Sequence, residues 1–244
     1  MIEVLQLGLV LRITLDRPEK RNALDLALCR MLIAAFESAV SDESVGCVVL
    51  AANGPVFCAG MDLGEVFEVD PDEAAMLHER VFGLVHWFRK PVVAAVAGPA
   101  LAGGVGLVAN AQIVVAAPNT QFAVGEIRIG LWPVLIFRAC ALAMGERRAT
   151  ELSLTGRSFS AKDALGYGLV TELADDPLAR AMEIAQGIAA FSPFAVTTGL
   201  DYVARIRGMG WEEAGAEGRA VRKRLMAAPD FARSVSAFLE RRKA

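Results

Sequence analysis

Twice in the first half of the chain, a run of β-branched and small apolar residues leads into a glycine-rich loop and then a helical period. The first run is GCVVLAA (46–52), followed by NGPVFCAGMDLGEV (53–66) and DPDEAAMLHERVFGLVHWF (70–88). The second is KPVVAAVAG (90–98), followed by PALAGGVGLVAN (99–110). Short unbroken apolar runs bounded by turn residues read as strands buried on both faces, which need helices to cover them. The second loop places Gly103, Gly104 and Gly106 within four positions. Each glycine inside a helix costs roughly 1 kcal/mol against alanine, so something there requires bare backbone.

The same alternation of elements extends along the chain. EVLQLG and LVLRITL alternate apolar and polar residues and read as two antiparallel strands joined near Gly8. Asp25 is placed to cap a helix running to Val40. QIVVAAP and QFAVG read as short strands, EIRIGLWP as a loop and VLIFRACALAM as a helix. GERRATELSLTG and SAKDALGYG read as short helices, the second capped by Ser160, and LVTEL as a last strand. From Pro177 onward the pattern is helical, with breaks near Ser192–Pro193, at 208–210 and at Pro229. The expectation is therefore an α/β protein. Repeated ββα turns make up a core over residues 1–175. Residues 176–244 form a helical region that is not an independent domain. Periodicity alone does not separate this architecture from a doubly wound sheet.

Hydrophobic residues make up 55% of the 244 positions, but charged residues, at 22%, interrupt every apolar run. None reaches the ~18 residues of a membrane span, so the excess points to a large core and to subunit interfaces. A net charge of −3 supplies no basic field for nucleic acid. Cys29, Cys47, Cys58 and Cys140 form no CxxC pair, and with only His78 and His86 beside them a metal site is not expected. The opening MIEVLQLG carries an acid early and no basic segment. That reads against a secretory leader, so the cytoplasm is the expected location.

A strand, a glycine turn and a helix starting near Gly103 leave backbone N–H groups free at the positive end of a helix. Neither the phosphate-loop nor the dinucleotide fingerprint is present. What remains is one or two amides able to hold an oxygen. FCAGMDL is a second loop of the same kind. Both can equally be tight turns packed between layers.

RPEKRNALD, FCAGMDL, AGPALAGGVGL, QFAVGEIRIGL and FSAKDALGYGLV, in this order and spacing, resemble the crotonase superfamily, also called the enoyl-CoA hydratase/isomerase family. The resemblance covers essentially the whole chain and implies a crotonase (ClpP/crotonase-like) fold, a superhelical ββα core with a C-terminal trimerisation region. It implies an acyl-CoA thioester substrate whose carbonyl sits between two backbone amides, matched here by Met61 and Gly103. It also implies a coenzyme A track along Lys20, Arg21, Ala23, Ala59, Asp62 and Leu63. A C-terminal contact at Phe238 and Arg241 often reaches a neighbouring subunit in the family. Coenzyme A arrives with the substrate, and no permanent cofactor is expected. The implied assembly is a homotrimer or a pair of trimers.

Two-carboxylate hydratases of this family carry one glutamate at the position matching Gly106 and another at the position matching Glu126. Adding water to a double bond needs a base for the water and an acid for the α-carbon; moving a double bond from C3 to C2 needs one carboxylate. The pattern thus resembles single-glutamate Δ3,Δ2-enoyl-CoA isomerases, with Glu126 as the shuttle. Gly106 is expected to face the acyl pocket beside it. A glutamate introduced there would restore a second carboxylate. The alternatives are a hydratase or other lyase using Asp62, Glu65 or Glu79 as the second acid, and an inactive acyl-CoA-binding or RNA-binding scaffold. His78 and His86 are expected to be solvent-facing or core residues, Cys58 a buried thiol, and Trp132 either pocket lining or core.

Overall fold

Strands β1 (Ile2–Leu7) and β2 (Val10–Leu15) pair antiparallel through a two-residue turn at Gly8, which takes φ +62°. Every later strand of this sheet joins in parallel: β2 to β3 (Cys47–Ala52), β3 to β4 (Val92–Val96). This computed structural model describes residues 1–241. Helix α1 (Leu26–Ser41) connects β2 to β3, and α2 (Pro71–Phe82) with the one-turn α3 (Leu84–Trp87) connects β3 to β4. After β4 come β5 (Ala100–Leu101) and α4 (Gly103–Ala109), then β6 (Ile113–Ala116) and β7 (Gln121–Ala123), then α5 (Val134–Met144) and α6 (Glu146–Thr155). β8 (Ser158–Ser160), α7 (Ala161–Tyr167), β9 (Glu172–Leu173) and α8 (Pro177–Ala189) complete the first of two units, which ends at Ala189. The six-stranded sheet runs β1-β2-β3-β4-β6-β9, and β5-β7-β8 form a small second sheet. The two-strands-then-helix repeat expected from the sequence is present in β1-β2-α1, β4-β5-α4 and β6-β7-α5.

The unbroken apolar strands are buried on both faces, as their composition requires. Val48, Leu50, Val92, Ala94 and Val96 face the main core with Leu28, Leu32 and Phe36 of α1. Cys47, Val49, Val93, Ala95 and Val115 face Ala181, Ala185 and Ala189, three alanines spaced four positions apart on α8. Small residues let the helix lie close: a Cβ on Gly46 would stand 3.0 Å from that of Ala189. The first unit thus ends after α8 rather than near residue 175. Helical period alone does not assign α8 to the sheet.

Three local readings change. The segment 70–88 is not one helix, because Gly83 separates α2 from α3. The buried Asn110 side chain spans the break, donating to the Phe82 and Gly106 carbonyls and accepting from the Val85 N–H, each at 2.8 Å. LVTEL contracts to the two residues of β9, and EIRIGLWP contains a 3₁₀ turn over Glu126–Ile129. The second unit, from Ala190, holds α9 (Pro193–Arg205), α10 (Trp211–Ala227) and α11 (Pro229–Arg241). Ser192 caps α9 and also bonds Asp230 at 2.7 Å.

Candidate active site

The two glycine loops meet. Leu24 bonds on either side of Met61, donating to the Gly60 carbonyl at 2.7 Å and accepting from the Asp62 N–H at 3.0 Å. In such a parallel bridge the Met61 N–H points away from Leu24, and it has no backbone acceptor among the described residues. On the second loop, Ala102 takes φ +49°, ψ −118°, a conformation costly for a residue with a side chain, held by its N–H to the Ala123 carbonyl at 2.7 Å. This turn makes Gly103 the first residue of α4, where an N–H has no intrahelical partner. A Cβ on Gly60 would stand 3.1 Å from the Gly103 nitrogen, and one on Gly104 only 2.3 Å from the Cys58 carbonyl oxygen. Glycine is what lets the two loops touch, and among the described residues neither the Met61 nor the Gly103 N–H has a backbone acceptor.

Met61 and Gly103 line a cavity of about 470 Å³ whose walls are mostly apolar, including Leu101, Leu131, Trp132 and Ile136. Glu126 is on its wall, at the start of the 3₁₀ turn, and is the one carboxylate lining it among the described residues. Burial raises its pKa above the usual glutamate range, and Oε2 is buried without a hydrogen-bond partner. Arg128 also lines the cavity but forms no ion pair with Glu126 among those of the described residues.

Gly106 does not border the cavity. A Cβ there would lie 2.3 Å from Ile136 Cγ2, 2.9 Å from Ile136 Cβ and 3.1 Å from Phe82 Cδ1. The space expected to be open beside Glu126 is filled by α5 and α2. A glutamate at this position would have to displace Ile136. His86 is exposed and His78 buried, each as one of the two expectations had it; His78 is stacked on Phe82 with ring centroids 5.9 Å apart. Sequence reasoning missed that His78 lines the cavity, although His78 and Phe82 are four residues apart on the apolar side of α2.

Lys20 and Arg21 are exposed at the end of a 3₁₀ turn, and the Arg21 carbonyl accepts from the Ala59 N–H at 3.0 Å. Ala23 is buried, and Ala59 and Leu63 line the cavity. The Asp62 carboxylate is committed elsewhere. It accepts from Arg17 Nη1 at 2.7 Å and from the Gly64 N–H at 3.0 Å, and Arg17 also pairs with the α1 cap Asp25 at 3.1 Å. The Arg17 bond holds the Asp62 pKa below the usual range. Glu65 accepts from the Leu26 N–H at 3.1 Å and Glu79 is exposed, so none of the three candidate second acids lines the cavity. The Cys58 thiol is buried, pushed up to about 12 by burial, and accepts from the Gly60 N–H; it is no nucleophile. Phe238 is exposed on α11; Arg241 ends that helix, and its side chain lies outside the described residues. Among the described residues there is no group of metal-ligating side chains, and no helix is long and apolar enough to cross a membrane.

The family model described as enoyl-CoA hydratase/isomerase matches residues 7–244. The 2,3-dehydroadipyl-CoA hydratase of Escherichia coli is 33% identical over 96% of this chain and 93% of its own. The structure of an enoyl-CoA hydratase from Mycobacterium smegmatis superposes with TM-score 0.91 at 34% identity over 98% of this chain and 96% of that one. The structure of human enoyl Coenzyme A hydratase domain-containing protein 3 gives 0.93 at 28% identity over 98% and 97%. The fold is the crotonase fold expected from the sequence.

Proposed function

Because the chain belongs to the enoyl-CoA hydratase/isomerase family, we propose that it moves the C3 double bond of an acyl-CoA to C2, with Glu126 carrying the proton. One observation supports this above the others: Glu126 is the one carboxylate on the cavity wall among the described residues. In this reading the Met61 and Gly103 N–H groups hold the thioester oxygen while negative charge builds on it, each worth roughly 3 kcal/mol in the transition state. Glu126 takes a proton from C2 and returns it at C4. A carboxyl with a raised pKa suits both halves of that exchange. The apolar wall keeps water from the intermediate.

Coenzyme A, arriving with the substrate, would run along Lys20, Arg21, Ala23, Ala59, Leu63 and the backbone of Asp62. Phe238 and Arg241 of α11 would supply the C-terminal contact. Phe231, Val235, Phe238 and Leu239 are exposed on α11 at helical spacing, which favours burial against further copies of the chain in a homotrimer or a pair of trimers. Light scattering that returns the mass of one chain would reject that assembly.

The catalytic reading is tested by proton exchange. Wild-type protein with a 3-enoyl-CoA in deuterated water should incorporate deuterium at C2 and C4 and form the 2-enoyl product. Glu126→Gln, nearly isosteric, should lose the exchange while retaining affinity for the thioester. Exchange by that variant at the wild-type rate would assign the base to another residue.

A further inference from the structure

The small sheet carries the cavity from one end to the other. Leu101 of β5, Ala123 of β7 and Ser158 of β8 stand side by side in register, and all three line the cavity. Residues paired across neighbouring strands project from one face of a sheet. The loop bearing Met61 joins at the β5 edge, through the bridge of Cys58 to Ala100, and Gly103 follows β5 by two residues. The two N–H donors thus belong to the β5 edge. Ser158 belongs to the β8 edge, two strand spacings or about 10 Å away.

The β8 edge carries a second polar end of the cavity. Arg128, two residues past Glu126, packs there: a Cβ on Gly156 would stand 3.3 Å from both Arg128 Cγ and Arg128 Nε. Gly156 takes φ +58° at the end of α6 and precedes Ser158 by two residues. Its missing side chain is the notch in which the arginine stem lies. Arg128 is the one arginine or lysine lining the cavity among the described residues. Its guanidinium takes part in no hydrogen bond or ion pair of those residues, and neither does the Ser158 hydroxyl. The neighbouring Arg148 and Arg157 are instead both paired with Glu151, at 3.0 and 2.7 Å. The acid of this region is therefore committed, and Arg128 is left over, facing a largely apolar cavity.

We propose that the acyl group taken by this cavity ends in a carboxylate, held by the Arg128 guanidinium and the Ser158 hydroxyl at the end opposite the Met61 and Gly103 amides. The substrate is then the coenzyme A ester of a dicarboxylic acid. The inference rests on the thioester placement of the isomerase reading and adds the class of acyl group to it.

The planar fork of an arginine matches a carboxylate through two parallel hydrogen bonds, and a hydroxyl beside it can donate a third. A chain ending in a methyl group would strip water from both groups and return no bond to either. The span sets the length. With carbon–carbon bonds of about 1.5 Å in a zigzag, and a hydrogen bond at each end, an acid of about six carbons bridges the two edges.

The test is calorimetric binding of two saturated coenzyme A esters, which have no double bond to move: that of hexanedioic acid and that of hexanoic acid. Wild type should bind the diacid ester about tenfold more tightly. Arg128→Gln should lower the ratio of the two affinities at least about thirtyfold, and Ser158→Ala by about threefold. A merely structural role for Arg128 would weaken both esters together and leave the ratio in place. Equal or tighter binding of the hexanoic ester by wild type overturns the proposal, as does an unchanged ratio in Arg128→Gln. Free coenzyme A is titrated as well. If Arg128→Gln weakens it as much as the diacid ester, the guanidinium serves the phosphates of the coenzyme, and the proposal falls. Binding of neither ester would reject the thioester placement and this inference with it. A diacid preference that depends on Arg128, in a protein that incorporates no deuterium into a 3-enoyl-CoA, would reject the isomerase reading and leave this inference standing.

Discussion

Gly106→Ala adds one methyl group where α4 meets α5 and α2. Its Cβ would fall 2.3 Å from Ile136 Cγ2, 2.9 Å from Ile136 Cβ and 3.1 Å from Phe82 Cδ1. Carbon atoms pack at about 3.5–4.0 Å, so Ile136 must retreat by about an ångström within a site where it is 3% exposed. Overpacking of this kind costs about 1–3 kcal/mol, and the shortness of the first contact argues for the upper end. Alanine gains about 1 kcal/mol over glycine inside a helix. The net expectation is a loss of about 2 kcal/mol. Ile136→Ala alone leaves a cavity and costs about 2–5 kcal/mol. In the Ile136→Ala background the 2.3 Å contact no longer exists, so adding Gly106→Ala should cost close to nothing. The two substitutions should therefore couple by about 2 kcal/mol, the double variant being more stable than the sum of the singles. Urea denaturation of the four proteins, with m-values checked for constancy, measures this. Additivity within about 0.5 kcal/mol would mean that Ile136 does not fill the place of a residue-106 side chain, and the account of the closed hydratase position would fail. By the same geometry, Gly106→Glu alone should lose stability and gain no hydration.

Other expectations follow from the same contacts. Burial raises the Glu126 pKa, so between the unfolded and folded values the native state binds more protons and wild-type stability falls as pH rises. Glu126→Gln should thus be more stable than wild type at pH 8, and the gap should close near pH 4. A gap that widens on acidification would contradict the burial of this carboxyl. Asn110→Ala leaves the Phe82 and Gly106 carbonyls and the Val85 N–H without their bonds and should cost about 3–4 kcal/mol; a loss under about 1 kcal/mol would show that water replaces them. Arg17→Met removes the cation shared by Asp25 and Asp62 and should cost about 2 kcal/mol at pH 7. Because the Asp62 pKa is depressed mainly by its bond to Arg17, the wild-type advantage should shrink as pH falls through the carboxylate range, and denaturation at two pH values tests this.

What was legible in the sequence is what near neighbours control. The apolar runs at 47–52 and 92–96, the helical period from Asp25 and the Ser160 cap all depend on residues a few positions apart. Each appears in the structure where local rules place it. The ordered motifs singled out Glu126 in the same way, and it lines the cavity. The break at Gly83 was not legible, because 70–88 carries one helical period in the sequence. The division of α2 from α3 depends on Asn110 reaching back to it from the end of α4.

The sequence by itself determined the alternation of buried strands, glycine loops and helices, and its motifs singled out Glu126, Met61 and Gly103, which line one cavity. The tertiary structure alone decided what surrounds them. It put Ile136 in the space opposite Gly106, tied Asp62 to Arg17, laid the alanines of α8 on the sheet and turned His78 toward the cavity. Backbone conformation is set by local sterics and hydrogen bonding, which a short window of sequence carries. Which side chain fills a given volume depends on close packing between elements far apart in the chain, where a missing methyl group at one position is compensated by an added one at another.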